Sequence, residues 1–271
     1  MTEVPIGRWD LVHLLLSVED RPRSSRDGAD LDAVLRRAVA ALAALPEPPA
    51  IEVPAPWTAP LLVEGHPCWV METVSWLLVA GGRCVLVDVP PHPRRLAERI
   101  AELGVVPAAI VLTHGHLDHA GGVAELLAAL EVPVPVHVHP ADRPAVLDPR
   151  RAGPLAAAVA GDSPPADAVV DHRPVALGPA VLTPIFVPGH TRGSTVVVVE
   201  GTSRPLILSG DVLFAGGAGR CDLHGADAAL AGRSLRQLLA GLPDDTVVLP
   251  GHGPLTTAGT ERPRPPLLRA V

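Results

Sequence analysis

The pattern of apolar and polar positions changes character near residue 58. Before it, Leu31, Val34, Leu35, Ala38, Leu42 and Leu45 recur at helical spacing after Asp30, an N-cap residue type, and Pro46 ends the run. An amphipathic helix of this kind must pack on something, so it reads as a cover, a lid or a contact between copies. A charged Arg/Asp-rich loop at 19–30 precedes it, and a Pro-rich linker from Pro46 to Pro60 follows. Downstream, short apolar runs alternate with turn residues. Leu61–Glu64, Val74–Ala80 and Cys84–Val89 read as strands, the last two closed into a hairpin by Gly81-Gly82. Arg94–Leu103 reads as a helix with Leu96, Ile100 and Leu103 on one face. Then follow a buried strand at Ala109–Thr113, a helix at Val123–Leu130, a strand at Val134–Val138 and an Ala/Pro-rich stretch at 144–174 with no clear period. Strands at Val181–Val187, Thr195–Glu200 and Pro205–Ser209, a helix at Ala226–Leu242 and a strand at Thr246–Leu249 complete the pattern. Strand pairs mixed with helices predict a layered α/β architecture without repeats. The expected division is an N-terminal extension over 1–58 and a main domain over 59–271.

Composition narrows the chemistry. Among 271 residues there is no Lys, Asn or Tyr, so all 22 cationic side chains are Arg. That removes Schiff-base catalysis, a Lys-bearing phosphate loop and Tyr acid/base work. Aromatics are only 2% and hydrophobic residues 48%, so an aliphatic core is expected. A net charge of −7 and a pI near 5.9 argue against nucleic acid as partner, since phosphate binding needs a concentrated basic face. Arg262, Arg264 and Arg269, the one basic cluster near a terminus, read as solvated surface. Cys68, Cys84 and Cys221 are odd in number and lack CxxC spacing, which suits reduced thiols in the cytoplasm. The apolar stretch Leu11–Leu16 is flanked by Asp10 and Glu19, and no run approaches the ~20 apolar residues a membrane span needs, so no membrane association is expected.

The chemistry concentrates in Thr113-His114-Gly115-His116-Leu117-Asp118-His119, between a predicted buried strand and Gly121-Gly122. Three imidazoles and a carboxylate so close together suit metal binding better than packing. His and carboxylate donors without thiolate suit Zn²⁺, and are compatible with Fe or Mn. One cluster cannot fill two coordination shells, so further ligands are required. His190, Asp211 and His252 each follow a predicted strand and lie beside a Gly, in Pro188-Gly189-His190-Thr191, Ser209-Gly210-Asp211 and Pro250-Gly251-His252-Gly253. A lone His in such a loop is ordinarily solvated or structural; several strand ends agreeing in ligand chemistry is a different matter. Asp88, before Pro90, suits either a turn former or a group orienting a ligand His. His137 and His139 read as structural or rim residues. His13, His66, His92, His172 and His224 have no partners at informative spacing.

On these residues the chain resembles the metallo-β-lactamase-fold hydrolases, whose HxHxDH signature and later His, Asp and His match in order over roughly residues 60 to 271. The resemblance implies an αββα sandwich of two mixed β-sheets flanked by helices. It also implies two divalent metal ions, the first held by His114, His116 and His190, the second by Asp118, His119 and His252, with Asp211 bridging. The segment Gly210-Asp211-Val212-Leu213-Phe214-Ala215-Gly216-Gly217-Ala218-Gly219-Arg220-Cys221-Asp222-Leu223 is similar to the GDxLFxGGxGRxDL segment of glyoxalase II-like enzymes. Gly251-His252-Gly253-Pro254, Thr256-Thr257-Ala258-Gly259 and Glu261-Arg262 resemble the tail of their short relatives. Two positions depart from that pattern: Pro265-Pro266 stands where Asn-Pro is usual, and Arg192 where Pro is usual.

The implied function is metal-dependent hydrolysis of a thioester through a metal-bridging hydroxide, with Asp118 or Asp211 managing the proton. The expected partner is a small-molecule substrate, a thiol conjugate, and the N-terminal extension could make a homo-oligomer. Full-length glyoxalase II enzymes hold glutathione partly with Lys and Tyr from an added C-terminal domain, and this sequence has neither residue type. Arg192 and Arg220 are the candidates for an anionic substrate group, although Arg220 could equally pair with Asp222 to order its loop. Alternatives on the same fold are a mononuclear iron persulfide dioxygenase and a lactone or other ester hydrolase; His252 within Gly-His-Gly favours the two-metal hydrolase.

Overall fold

The computed structural model describes residues 48–68, 71–152, 160–223 and 225–263, with Ala33, Arg36, Arg37, Val39, Ala40 and Ala156. The helix expected over 31–45, with its role as a lid or oligomer contact, lies almost wholly outside those residues, although the few that are described there are helical. His13, His224, Arg264 and Arg269 lie outside as well.

Two sheets form the frame. The first runs in sequence order through β1 (Ile51–Glu52), β2 (Leu62–Cys68), β3 (Thr73–Ala80), β4 (Arg83–Val87), β5 (Val106–Val111), β6 (Val136–Val138) and β7 (Val169–Asp171). Pairing is antiparallel from β1 to β4 and parallel from β4 to β7. The second sheet contains β8 (Val175–Leu177), β9 (Ala180–Phe186), β10 (Thr195–Glu200), β11 (Leu206–Gly210), β12 (Val247–Pro250) and β13 (Thr256–Thr257), in the order β13-β12-β11-β10-β9-β8. There only β11 and β12 are parallel. The helices are α1 (Ala55–Thr58), α2 (Arg94–Leu103), α3 (Leu117–Ala120), α4 (Val123–Leu130), α5 (Arg143–Leu147), α6 (Ala228–Gly241) and α7 (Ala258–Glu261).

Side-chain alternation along the strands builds three apolar layers. Val74, Trp76 and Leu78 of β3 face inward and meet Leu182, Val197, Leu208 and Leu249 from the second sheet. Leu77, Leu86, Ile110 and Leu112 face the other way, under Leu96 and Ile100 of α2 and Leu126 of α4. On the far side, Leu235 and Leu239 of α6 cover Val196, Ile207 and Val248. The order is therefore helix, sheet, sheet, helix, with aliphatic side chains filling each layer, as the composition predicts.

Several elements differ from the sequence reading. The segment read as a Pro-rich linker contains β1, which pairs Ile51 with Gly65, and the short helix α1, so the first sheet begins within it. The stretch at 144–174 includes most of α5, a 3-10 turn at Pro149–Ala152 and β7, and β8 follows directly. These strands are three residues each, with β8 directly after Pro174, too short for a period to show. β2 continues through Pro67 to Cys68, and β4 stops at Val87 because Asp88 adopts a left-handed φ of 63°. The hairpin at Gly81-Gly82 is present, with both φ values positive as a type I′ turn requires.

Strand direction places the site. β9 and β11 are each antiparallel to β10, and β12 is parallel to β11, so the chain leaves β9, β11 and β12 at one edge of the second sheet. β4 and β5 likewise end together in the first sheet. Three bonds tie these edges across the interface: Trp76 Nε1 donates to Pro250 O at 2.9 Å, Val74 N to Gly251 O at 2.8 Å and Thr195 N to Thr113 O at 2.9 Å.

Candidate metal centre

Five imidazoles and two carboxylates meet at this edge. The turn after β5 presents His114 and His116 and opens α3, which carries Asp118 and His119. From the second sheet come His190 after β9, Asp211 after β11 and His252 after β12. In one trio, His190 Nε2 lies 2.9 Å from His116 Nδ1 and 3.3 Å from His114 Nε2, and the latter two are 3.1 Å apart. In the other, His252 Nε2 lies 3.4 Å from His119 Nε2 and 3.3 Å from Asp118 Oδ2. Asp211 stands between them, Oδ2 3.5 Å from His190 Nε2 and Oδ1 3.1 Å from His119 Nε2. The seven residues named from the sequence thus lie close together, and three ligand-spaced groups can be drawn among them: His114/His116/His190, Asp118/His119/His252, and His114/His119/Asp211, which spans the other two.

The surrounding bonds determine which ring nitrogens present lone pairs. Asp88 is 1% exposed, and both its oxygens accept: Oδ1 from Thr113 N at 2.7 Å, Oδ2 from Thr113 Oγ1 at 2.8 Å and from His119 Nδ1 at 2.8 Å. His119 therefore keeps a proton on Nδ1 whatever its charge, and Nε2 is the nitrogen turned to the centre. Because the Thr113 hydroxyl spends its proton on Asp88, its 3.0 Å contact with His114 Nδ1 has the imidazole as donor, which frees His114 Nε2 in turn. His190 Nδ1 donates to Arg220 O at 2.7 Å and His252 Nδ1 to Met71 O at 3.2 Å. Asp88 is accordingly an orienting group rather than a turn former alone.

The electrostatics agree with a cation site. Burial and the neighbouring imidazoles push His114 well below its usual pKa, and burial with His190 brings His116 down to about 3, so both rings are neutral near pH 7, each with a single N–H. Burial opposes charge on Asp118 and Asp211 as well, yet His119 and His252 outweigh it and hold both carboxyls below the ordinary range. Burial also opposes charge on His119 and His252, but the carboxylates raise both, and a cation bound here would displace those protons. Asp211 Oδ1 is buried and faces two ring nitrogens, His119 Nε2 at 3.1 Å and His252 Nε2 at 3.6 Å. Converging ring nitrogens and carboxylate oxygens fit divalent cations with N and O donors.

Around the centre, Thr73 Oγ1 donates to Asp118 Oδ2 at 2.9 Å, and the Phe214 ring stands edge-on to His252, 5.6 Å between centroids. Arg220 forms a bidentate pair with Asp222, Nε to Oδ1 at 3.0 Å and Nη2 to Oδ2 at 2.9 Å, the loop-ordering arrangement. Arg192 is exposed. Sequence reasoning missed Asp142, a buried carboxylate just outside the centre, and the contacts of Met71 and Thr73, none of which stands in a motif.

Residues 69–252 match the Metallo-beta-lactamase superfamily, to which this chain belongs; its αββα frame is that of the superfamily, and it is a metal-dependent hydrolase of this fold. The chain is 33% identical over 199 residues to a probable metallo-hydrolase, YqgX, of Bacillus subtilis (strain 168), covering 73% of this chain and 93% of that one. It is 36% identical over 181 residues to a hydroxyacylglutathione hydrolase of Anaeromyxobacter dehalogenans (strain 2CP-C), covering 67% of this chain and 61% of that one. Among solved structures, TTHA1623 in a di-iron-bound form matches with a TM-score of 0.62 at 34% identity, over 75% of this chain and 99% of that one. Among the described residues no helix is long and apolar enough to cross a membrane.

Proposed function

We propose that this protein hydrolyses a thioester, a small thiol conjugate, with His114, His116 and His190 holding one divalent cation and Asp118, His119 and His252 a second. Asp211 directs one oxygen toward each trio. The observation that carries this reading is the facing pair of trios, with the outward N–H of His114, His119, His190 and His252 already engaged elsewhere. Two complete donor sets favour a dinuclear hydrolase over a mononuclear iron dioxygenase. Zn²⁺ suits these donors, and Fe shares them.

Divalent ions held there supply Lewis acidity and a nucleophile generated from water near neutral pH. The protein's own groups position and move protons. Water oxygen bonds to the acyl carbon, the carbon–sulfur bond breaks, and the products are a carboxylic acid and a thiol. Asp118, with Thr73 fixing Oδ2, and Asp211, with Oδ1 set against His119 Nε2, are the groups within reach of the proton that water gives up. Cys221 is not the nucleophile: burial raises its pKa, and its thiol donates to Gly219 O. A thioester is supported by the hydroxyacylglutathione hydrolase relative and the shared Gly-rich segment. With Arg220 occupied by Asp222, exposed Arg192 is the better candidate for an anionic part of the thiol carrier. Metal quantification with thioester, lactone and persulfide substrates tests the reading. The expected result is two metals per chain and thioester cleavage; one iron per chain with oxygen consumption on a persulfide refutes it.

A further inference from the structure

Asp142 lies outside both trios, yet its carboxylate grips the two loops that carry one of them. It is 6% exposed, just ahead of α5. Oδ2 accepts from Gly115 N at 3.0 Å and from Thr191 Oγ1 at 2.6 Å, while Oδ1 accepts from Gly193 N at 2.8 Å. Gly115 separates His114 from His116, and Thr191 follows His190 directly. The three donors thus belong to the first sheet's turn and the second sheet's loop, and one side chain joins them. The fit is close: a Cβ at Gly115 would stand 3.0 Å from Asp142 O, and one at Gly193 would stand 2.6 Å from Asp142 Cγ. Asp118, His119 and His252 have a different support, from Thr73, Asp88 and Met71.

We propose that Asp142 is a positioning residue for the His114/His116/His190 subsite alone, setting the distance between its two loops so that three imidazole nitrogens converge. A buried carboxylate accepting two backbone amides and a hydroxyl holds its donors firmly, because losing it strands buried polar groups. This inference rests on the proposed two-cation reading, and the experiment separates the two. Metal-stripped wild type, D142A, D142N, T191V, H116A and H252A, with the doubles D142A/H116A and D142A/H252A, are titrated with Zn²⁺ alone against a chromophoric chelator, and metal-free melting is recorded for each. Asn keeps the shape but has only one acceptor oxygen, and Val removes only the hydroxyl bond, so both test the clamp should the Ala variant not fold.

Wild type should bind two equivalents and H116A one. D142A and D142N should weaken one equivalent about 10–100-fold, the range for groups that orient metal ligands, and T191V less, with the other equivalent unchanged. D142A/H116A should then bind like H116A, whereas D142A/H252A should retain no tight equivalent. Two unaltered equivalents in D142A or D142N, or equal weakening of both equivalents in any folded variant, overturns the inference. Fewer than two equivalents in wild type, or two retained in H116A, overturns the two-cation reading instead.

Discussion

Asp88→Asn tests the tautomer relay with almost no change in shape. The amide oxygen remains to accept from Thr113 N, which places NH₂ where Oδ2 stood, against His119 Nδ1 and Thr113 Oγ1. Both contacts then reverse. NH₂ donates to His119 Nδ1, forcing that proton to Nε2 and into the centre, and the Thr113 hydroxyl, no longer needed by residue 88, is free to donate to His114 Nδ1 with the same result. Each misdirected imidazole should weaken its own subsite. Loss of an orienting partner costs about 10–100-fold in metal affinity, or about 1.4–2.7 kcal/mol. Since His114 and His119 belong to different trios, both equivalents of Zn²⁺ should weaken in D88N, and only the His114 trio in T113V, when titrated against a chelator. Metal-free D88N should lose little stability in urea. Asp88→Ala should lose more, since its buried amide and hydroxyl donors are stranded at about 1–3 kcal/mol each. Wild-type Zn²⁺ affinity at both subsites of D88N would show that Asp88 does not set the protonation of these rings.

Four further outcomes follow from the geometry. His116→Ala should abolish hydrolysis and lower metal content toward one ion per chain while far-UV circular dichroism stays native; a fully active, metal-replete variant refutes the site. Gly219→Ala should destabilise by about 1–3 kcal/mol in urea denaturation, because its Cβ would stand 2.8 Å from His190 Nδ1 and against the Asp211 backbone, and an unchanged midpoint would contradict that packing. Arg220→Ala should change stability by less than about 1 kcal/mol, the pair with Asp222 being exposed, so a large loss would mean the guanidinium does more than order its loop. Burial pushes the Cys84 thiol up to about 11, so only roughly one part in a thousand is thiolate at pH 8. Alkylation of the native protein, read by mass spectrometry, should therefore spare Cys84 and reach it after unfolding.

What could be read from the sequence depended on how far apart in the chain the cause and its effect lie. The HxHxDH turn is legible because four donors within six residues have no packing explanation, and His190, Asp211 and His252 because each sits at a strand end beside Gly. Asp88 was ambiguous: a lone Asp ending a strand near Pro suits a turn, and only the fold brings His119 Nδ1 to it. Asp142 carried no local signal, since its partners lie 27 and 49–51 residues away and two of them are backbone amides. The same holds for architecture. The period of β3 and β4 survives in the sequence because each strand is long enough to alternate, whereas β1, β7 and β8 are defined only by their neighbours' free edges.

Drawing donors from both sheets also imposes an order in time. His114 to His119 leave the ribosome well before His190 and Asp211, and His252 emerges last, just after the strand that lies beside β11. Since domains assemble largely from the N-terminus during synthesis, the first sheet can form its turn long before the facing half of the site exists. On the proposed two-cation reading, complete metal loading should then mark the end of folding, and a chain truncated before β12 should lack the donor set that His252 completes.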